Sequence, residues 1–371
     1  MSAIPMNDLL LQYERYKADI DAQINEVLAS GHFIGGAKVQ KFEVELSQYL
    51  SGHHVVSCGN GTDALQIALM CLELQPGDEV IIPAFTFGAT AETVKLMGLT
   101  PVFADVDPFT YNIDPDSIKQ VITEHTRCII PVHLFGLCAN MDQIMTIARQ
   151  YNLFVIEDTA QALGSMYEEN DDPRQAGCMG DIGTLSFFPS KNLGCYGDGG
   201  AIVTSNETYA EKCRMIKNHG TRKKYYHEMV GINSRLDAIQ AGILLAKLPH
   251  LEHDIEARIK AADLYDTLLK DTAGILLPTK PIRGRHTFHQ YTVQSEDRSA
   301  LIAALTAADI ATAIYYPAGL HTQPAFQTHG KEQISCDAAT QLTKIVVSLP
   351  IYPDICAEQI EFICQTIKKG Y

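Results

Sequence analysis

The sequence predicts an α/β layered fold: a large domain on a mostly parallel, mixed seven-stranded sheet, followed by a smaller α+β domain. Three observations carry this expectation. Between about residues 53 and 205, short β-rich runs alternate with helix-like stretches long enough to be parallel crossovers. Several of those runs are apolar on both faces, as strands covered by helices on both sides are. After about residue 285 the pattern changes to a strand, a helix, a strand and a closing helix.

Taken in order, the first 50 residues read as two helices, ADIDAQINEVLAS and AKVQKFEVELSQYL, split at SGHFIGG. The candidate strands are VVSC (55–58), EVIIPA (79–84), PVFADV (101–106), CIIPVH (128–133), LFVIED (153–158), TLSFF (184–188) and AIVTS (201–205). Helical stretches at 62–73, 88–97, 115–123 and 140–150 lie between them. The last two strands are joined by the Gly-rich NLGCYGDGG rather than a helix, so the sheet is expected to be mixed there. Segments 236–247 and 251–270 read as helices broken around Pro249. Strand TFHQYTV, helix SALIAALTAA, strand ATAIYYP and a last helix ending at KKG complete the chain. The 371 residues suit two domains, divided here as 1–250 and 251–371. The polar stretch EENDDPRQAG (168–177) reads as a solvated excursion, with a lid as the alternative.

Composition excludes several classes. Lys plus Arg total 29 against 44 Asp plus Glu, a formal net charge of −15, so phosphate-driven nucleic-acid binding is not expected. No run approaches 18 apolar residues and the N-terminus turns polar early, so neither a membrane span nor a signal peptide is expected. A cytoplasmic protein is the expectation. The ten cysteines form no CxxC pair and no tight Cys/His cluster, which argues for buried free thiols and against any metal site.

Ligands of an α/β sheet bind at strand C-termini, and three features gather there. In SCGNGTDAL (57–65), glycines turn a strand into a helix whose first N–H groups, with the Thr62 hydroxyl, could hold a phosphate. Alone, such a turn fits a plain helix start equally well. VIEDTAQALG (155–164) ends an apolar strand in two carboxylates, and alternation lets only one of Glu157 and Asp158 face a given side. That carboxylate could be a cofactor partner, a metal ligand or a helix cap. In GTLSFFPSKNLGCYGDGGAIVTS (183–205), Lys191 sits in a turn after an apolar strand. By position alone it is an ordinary loop lysine; near a bound phosphate and pyridinium its amine becomes a nucleophile.

Together with PAFTFGATAET, DVDPFTYNIDP, PVHLFG, GINSRLDAIQA and SLPIYP, these motifs resemble the DegT/DnrJ/EryC1/StrS family of nucleotide-sugar aminotransferases, from about residue 5 to the C-terminus. The resemblance implies fold type I and pyridoxal 5′-phosphate, with pyridoxamine phosphate as its alternate form. It implies that Lys191 bonds the cofactor, Asp158 pairs with the ring nitrogen and Gln161 contacts the phenolic oxygen. Gly61, Thr62, Asp63 and Ser186 fall on the phosphate side, and Phe87 stacks over the ring. Asn233 is supplied by the neighbouring subunit, implying an obligate homodimer with shared sites. L-glutamate is the implied amino donor, and surface polysaccharide such as lipopolysaccharide O-antigen the implied destination.

GNGTDAL and KYYHEMVGINSRLD (224–237) look like the branch that aminates C3. FFPSKNLGCYGDGG resembles its UDP-linked 3-oxo-glucuronate type, with dTDP-linked 3-oxo-6-deoxyhexoses as the alternative. That type carries arginine at the place of Met229 and histidine at the place of Tyr315, both on the sugar carboxylate. Met cannot replace a guanidinium, so Arg222, Lys223 or Lys224, with His227 and His321, are the candidate substitutes beside Met229 and Tyr315 as substrate-side positions; polar residues of a dimer surface are the plain alternative. Dehydratases of the family carry histidine instead of the lysine, which Lys191 argues against. A non-catalytic regulatory protein that binds the cofactor is the alternative of another class.

Overall fold

The computed structural model describes residues 3–169, 172–327 and 335–370. Seven strands form the main sheet: β1 (His54–Cys58), β2 (Glu79–Pro83), β3 (Thr100–Ala104), β4 (Thr126–Ile129), β5 (Phe154–Asp158), β6 (Ile182–Ser186) and β7 (Gly200–Thr204). Their order is β1-β7-β6-β5-β4-β2-β3. Only β7 runs against its neighbours, pairing antiparallel with both β1 and β6. The short Gly-rich return between β6 and β7 cannot make a right-handed crossover, so the strand comes back beside its predecessor. The expected mixed sheet is thus present, with its reversal at the expected strand.

Twelve α-helices are present among the described residues: α1 (Leu9–Ser30), α2 (Gly36–Tyr49), α3 (Gly61–Cys71), α4 (Ala89–Leu96), α5 (Pro115–Val121), α6 (Met141–Tyr151), α7 (Glu207–Ile216), α8 (Ala238–Lys247), α9 (Leu251–Leu269), α10 (Arg298–Ala307), α11 (Asp337–Ile345) and α12 (Ala357–Gly370). One face of the sheet packs on α3, α4 and α7 through Val56, Ile67, Ile82, Ile156 and Ile202. Opposite faces of β1 and β7 meet α2 and α8 through Val55, Phe42, Val203 and Leu244. The strands are therefore buried on both sides, which is why they read as continuous apolar runs. Among the described residues no helix is long and apolar enough to cross a membrane, and no group of His, Cys, Asp or Glu is arranged to hold a metal ion.

The smaller lobe is an antiparallel sheet of β8 (Ile275–Leu276), β9 (Tyr291–Ser295) and β10 (Val346–Leu349), with Tyr265 of α9, Leu301 of α10 and Ile363 of α12 packed in one core. Here the sequence expectations need two corrections. Residues 311–317 form no strand; β10 takes the place beside β9, and the segment keeps a single bridge, Ala313 to Ser348. Residues 287–290 lie outside β9 because they bond to another partner: Thr287 N donates to Gly136 O and Gln290 N to Phe135 O. In the larger lobe, the stretch 168–177 contributes to a hairpin, Met166–Glu169 with Asp172–Gln175, in which Asp172 and Pro173 are exposed; residues 170–171 lie outside the described residues. The first helix also begins earlier than its apolar pattern suggests, at Leu9, where Asp8 accepts the Leu11 N–H as an N-cap.

Candidate active site

Strand C-termini β1, β5 and β6 bring three sequence features together. After β1, Asn60 caps α3 by accepting the Asp63 N–H at 2.8 Å, and its carbonyl takes the Ala64 N–H. The N–H groups of Gly61 and Thr62 remain at the helix opening, where an anion binds well. Ser186, at the end of β6, lies against this turn: a Cβ on Gly61 would stand 2.8 Å from the Ser186 Cβ. Gly61→Ala is therefore expected to push the turn off β6 and, if the cofactor implied by the motifs is held here by its phosphate, to weaken its binding about tenfold or more, from an overpacking cost of about 1–3 kcal/mol. Titration of the apoprotein with that cofactor checks this, and unchanged affinity contradicts it. Asp63 lies at the same turn but is committed elsewhere: its carboxylate accepts the Ser234 hydroxyl at 2.6 Å, and Ser234 Oγ accepts the Gly59 N–H at 2.8 Å. Asp63 thus ties the 231–237 segment to the turn.

At the end of β5 the two carboxylates separate as the pleat requires. Glu157 is fully buried and accepts His133 Nε2 at 2.8 Å and the N–H groups of Gly177, Met179 and Gly180. Burial opposes its charge, yet His133 and these N–H donors hold it below the usual carboxylate range. It pins the 177–180 turn beneath the sheet. Asp158 is 6% exposed and faces the other way. Its Oδ1 accepts the Ala160 N–H at 3.1 Å and its Oδ2 the Thr90 hydroxyl at 3.0 Å. Desolvation raises its carboxyl, while Ala160, Thr90, Lys191 and His133 oppose that rise.

Beyond β6 the chain folds back on itself: Lys191 N donates to Phe188 O, and Cys195 N to Phe187 O. This return turns Lys191 towards the strand ends. Desolvation lowers its ammonium to about 8, against the pull of Asp158, and no hydrogen bond or ion pair holds it among the described residues. A second lysine, the fully buried Lys247, is also lowered to about 8 by desolvation, but its Nζ is bonded to Gly194 O at 2.5 Å. The lowered pKa alone does not distinguish the two; the half-buried, unbonded amine of Lys191 does.

Gln161 bridges two elements, accepting the Phe135 N–H at 2.8 Å and donating to the Tyr316 hydroxyl at 3.0 Å. Tyr316 stands 5.9 Å from Phe85 and 6.3 Å from Phe87, ring to ring, and Phe87 is 61% exposed. Thr90, His133, Tyr316 and Ser234 were not foreseen as site residues. Each sits inside a quoted motif or beside a chosen residue, but their bonds join positions far apart in the chain, which periodicity cannot show.

The substrate candidates divide. Met229 is half-buried, packs against the main core and takes no outward position. Arg222 pairs with Glu211 and Glu228, each at 3.7 Å. Lys223 and Lys224 are exposed, over the rings of Tyr226 and Tyr225. His227 Nδ1 contacts His219 O at 2.8 Å. Tyr315 is half-buried with its ring 5.8 Å from Tyr316. His321 turns to Thr340, its Nε2 at 3.2 Å from Oγ1, and packs near Phe103. Asn233 is exposed, although its neighbour Ser234 is bonded within the chain.

An anion-binding helix start, a buried acid suited to a cationic ring nitrogen, and an unbonded amine of lowered pKa together fit pyridoxal phosphate. Comparison with known proteins agrees. Residues 14–368 match the family model described as the DegT/DnrJ/EryC1/StrS aminotransferase family. A Geobacillus stearothermophilus protein described as a pleiotropic regulatory protein is 45% identical, over 99% of this chain and 98% of its own. The UDP-2-acetamido-2-deoxy-3-oxo-D-glucuronate aminotransferase of Pseudomonas aeruginosa is 44% identical, over 97% and 98%. The crystal structure of S. venezuelae DesV in complex with a ketimine intermediate superposes with a TM-score of 0.95 at 37% identity, covering 100% of this chain and 98% of that one.

Proposed function

Because the chain belongs to the DegT/DnrJ/EryC1/StrS aminotransferase family, we propose that it is a pyridoxal-phosphate-dependent enzyme that moves an amino group from L-glutamate to the C3 keto group of a nucleotide-linked sugar. The observation that carries this reading is Lys191, an unbonded amine of lowered pKa coupled to the buried Asp158. Residues 1–250 form the cofactor-binding domain and 251–371 the smaller one.

Bound there, pyridoxal phosphate supplies an electron sink for the charge left when a proton departs the donor's α-carbon. The N–H groups of Gly61 and Thr62, with the Thr62 and Ser186 hydroxyls, hold the phosphate. Asp158 keeps a proton on the ring nitrogen, so that the sink works. Gln161, oriented by Phe135 N–H and Tyr316, donates towards the phenolic oxygen. Phe87 covers the ring. Lys191 would anchor the cofactor, and its Nζ, when free, would be the base that takes the proton from the donor's α-carbon and the acid that returns a proton when the keto sugar is the substrate. Asn233 completes the site of a neighbouring subunit in a homodimer, a reading supported by its exposure and by the exposed apolar side chains of Phe33, Ile34 and Val230.

For the sugar, a UDP-linked 3-oxo-glucuronate is the first candidate, its carboxylate met by Lys223 or Lys224. A neutral 3-keto sugar, such as a dTDP-linked 6-deoxyhexose, is the second reading, favoured by the half-buried Met229 and by the acidic partners of Arg222. Incubation of the holoenzyme with L-glutamate and a panel of UDP- and dTDP-linked keto sugars decides, the product being read by mass and NMR. Amination of the uronate at C3 is the expected result. Reaction with 4-keto sugars alone contradicts the C3 assignment.

A further inference from the structure

We propose that Thr90 is a positioning residue for the reaction: its hydroxyl holds Asp158 as an ionised carboxylate, oriented so that the proton it faces stays on the cofactor's ring nitrogen. This rests on the aminotransferase reading above. Asp158 must be buried beside the ring, which disfavours its charge, and yet remain charged, or the proton passes to it and the sink weakens. Two donors resolve the conflict. The Ala160 N–H on Oδ1 belongs to the backbone, and any residue but proline at that position supplies it. The donor on Oδ2 depends on the side chain at 90.

Deeper in the same helix a threonine bonds its hydroxyl back to carbonyls of the turn before it: Thr93 donates to Ala89 O at 3.0 Å and Thr90 O at 3.2 Å. Thr90 is the second residue of the helix, with no helix turn before it, and, 1% exposed, donates to a carboxylate 68 residues away. Its β-branched side chain has few rotamers, so α4 delivers the hydroxyl to one place.

The other polar groups facing Asp158 cannot take this part. Lys191 lies on the loop after β6 and is committed to the cofactor. His133, after β4, has its Nδ1 taken by the Ala139 N–H at 3.0 Å, so its ring proton sits on Nε2, towards Glu157. The Tyr316 hydroxyl accepts from Gln161 Nε2 and makes no hydrogen bond to Asp158 among the described residues. Thr90 is left as the side-chain hydrogen-bond donor to Asp158 among the described residues.

The test uses the full-length protein reconstituted with pyridoxal phosphate carrying ¹⁵N in the ring, as wild type, Thr90→Val and Thr90→Ser. Valine keeps the shape and removes the hydroxyl; serine keeps the hydroxyl. In Thr90→Val the ring nitrogen resonance is expected to move from the protonated towards the unprotonated position. The half-reaction with L-glutamate should slow about tenfold, the effect of losing one hydrogen bond to a charged group. Serine should restore the resonance and bring the rate to within about threefold of wild type. Wild-type resonance and rate in Thr90→Val across the pH range overturn the proposal, as does a serine variant no better than valine. If the valine protein does not fold, Thr90→Ala is the deletion, judged by the same nitrogen resonance. Failure of the wild type itself to react with any amino acid overturns the aminotransferase reading instead.

Discussion

Lys191→Ala is expected to lose amino transfer in both half-reactions by about ten-thousandfold or more, because the proposed mechanism gives one atom, Nζ, the parts of both covalent anchor and proton carrier. The substitution leaves the phosphate turn, Asp158 and Gln161 in place, so the cofactor is still expected to bind, without the visible absorbance band of the lysine-bound form. The readout is that spectrum together with single-turnover mixing with L-glutamate. Retained turnover rules out the assignment. The lowered ammonium matters here: an amine pushed down to about 8 is free in about one-tenth of molecules at pH 7, a far larger share of the nucleophilic and basic form than an ordinary lysine offers.

Asp158→Ala is expected to be the next most damaging change, lowering the rate of the glutamate half-reaction about a hundred- to five-thousandfold. On the proposed mechanism it removes one partner of a buried ion pair, a loss of about 3–5 kcal/mol, and each 1.36 kcal/mol is tenfold in rate. The effect should fall on kcat more than on KM, since the carboxylate would touch the ring and not the donor. Near-normal kcat with cofactor bound would count against its role. The two substitutions share one site, so their effects are not expected to add.

How much of this was legible in the sequence depends on whether a feature is local. The seven strands of the main sheet are readable because most of their residues are buried, several of them on both faces, and are therefore apolar. Even the reversal at β7 followed from the length of the 187–199 connection. The failures lie where tertiary partners decide. Residues 311–317 have the β-branched and aromatic composition of a strand, but Val346–Leu349 occupies the pairing edge of β9. The displaced segment instead carries Tyr315 and Tyr316 towards the site. Residues 287–290 were read as strand because they continue the alternation of β9; their hydrogen bonds go to Phe135 and Gly136 instead.

The site shows the same division. Lys191 and Asp158 could be singled out because an unexplained lysine and an unexplained acid stand at strand ends inside recognisable motifs. Thr90 could not, since its meaning is a bond across 68 positions. Nor could the fate of Asp63, whose place in the phosphate turn suggested a ligand, while its carboxylate is occupied by Ser234. Substrate residues were least legible, because Met229, Arg222 and His321 acquire their partners only in the folded chain.

Borohydride reduction of the pyridoxal-phosphate-loaded wild-type protein, followed by peptide mass mapping, tests the central claim most directly. It fixes the cofactor on whichever lysine carries it. Lys191 is half-buried and Lys247 fully buried, and both are lowered to about 8, so a lowered amine alone does not decide which of them carries the label. The peptide containing Lys191 is expected to gain the reduced phosphopyridoxyl group and no other peptide to do so. A label on Lys247, on a surface lysine or on none contradicts the account.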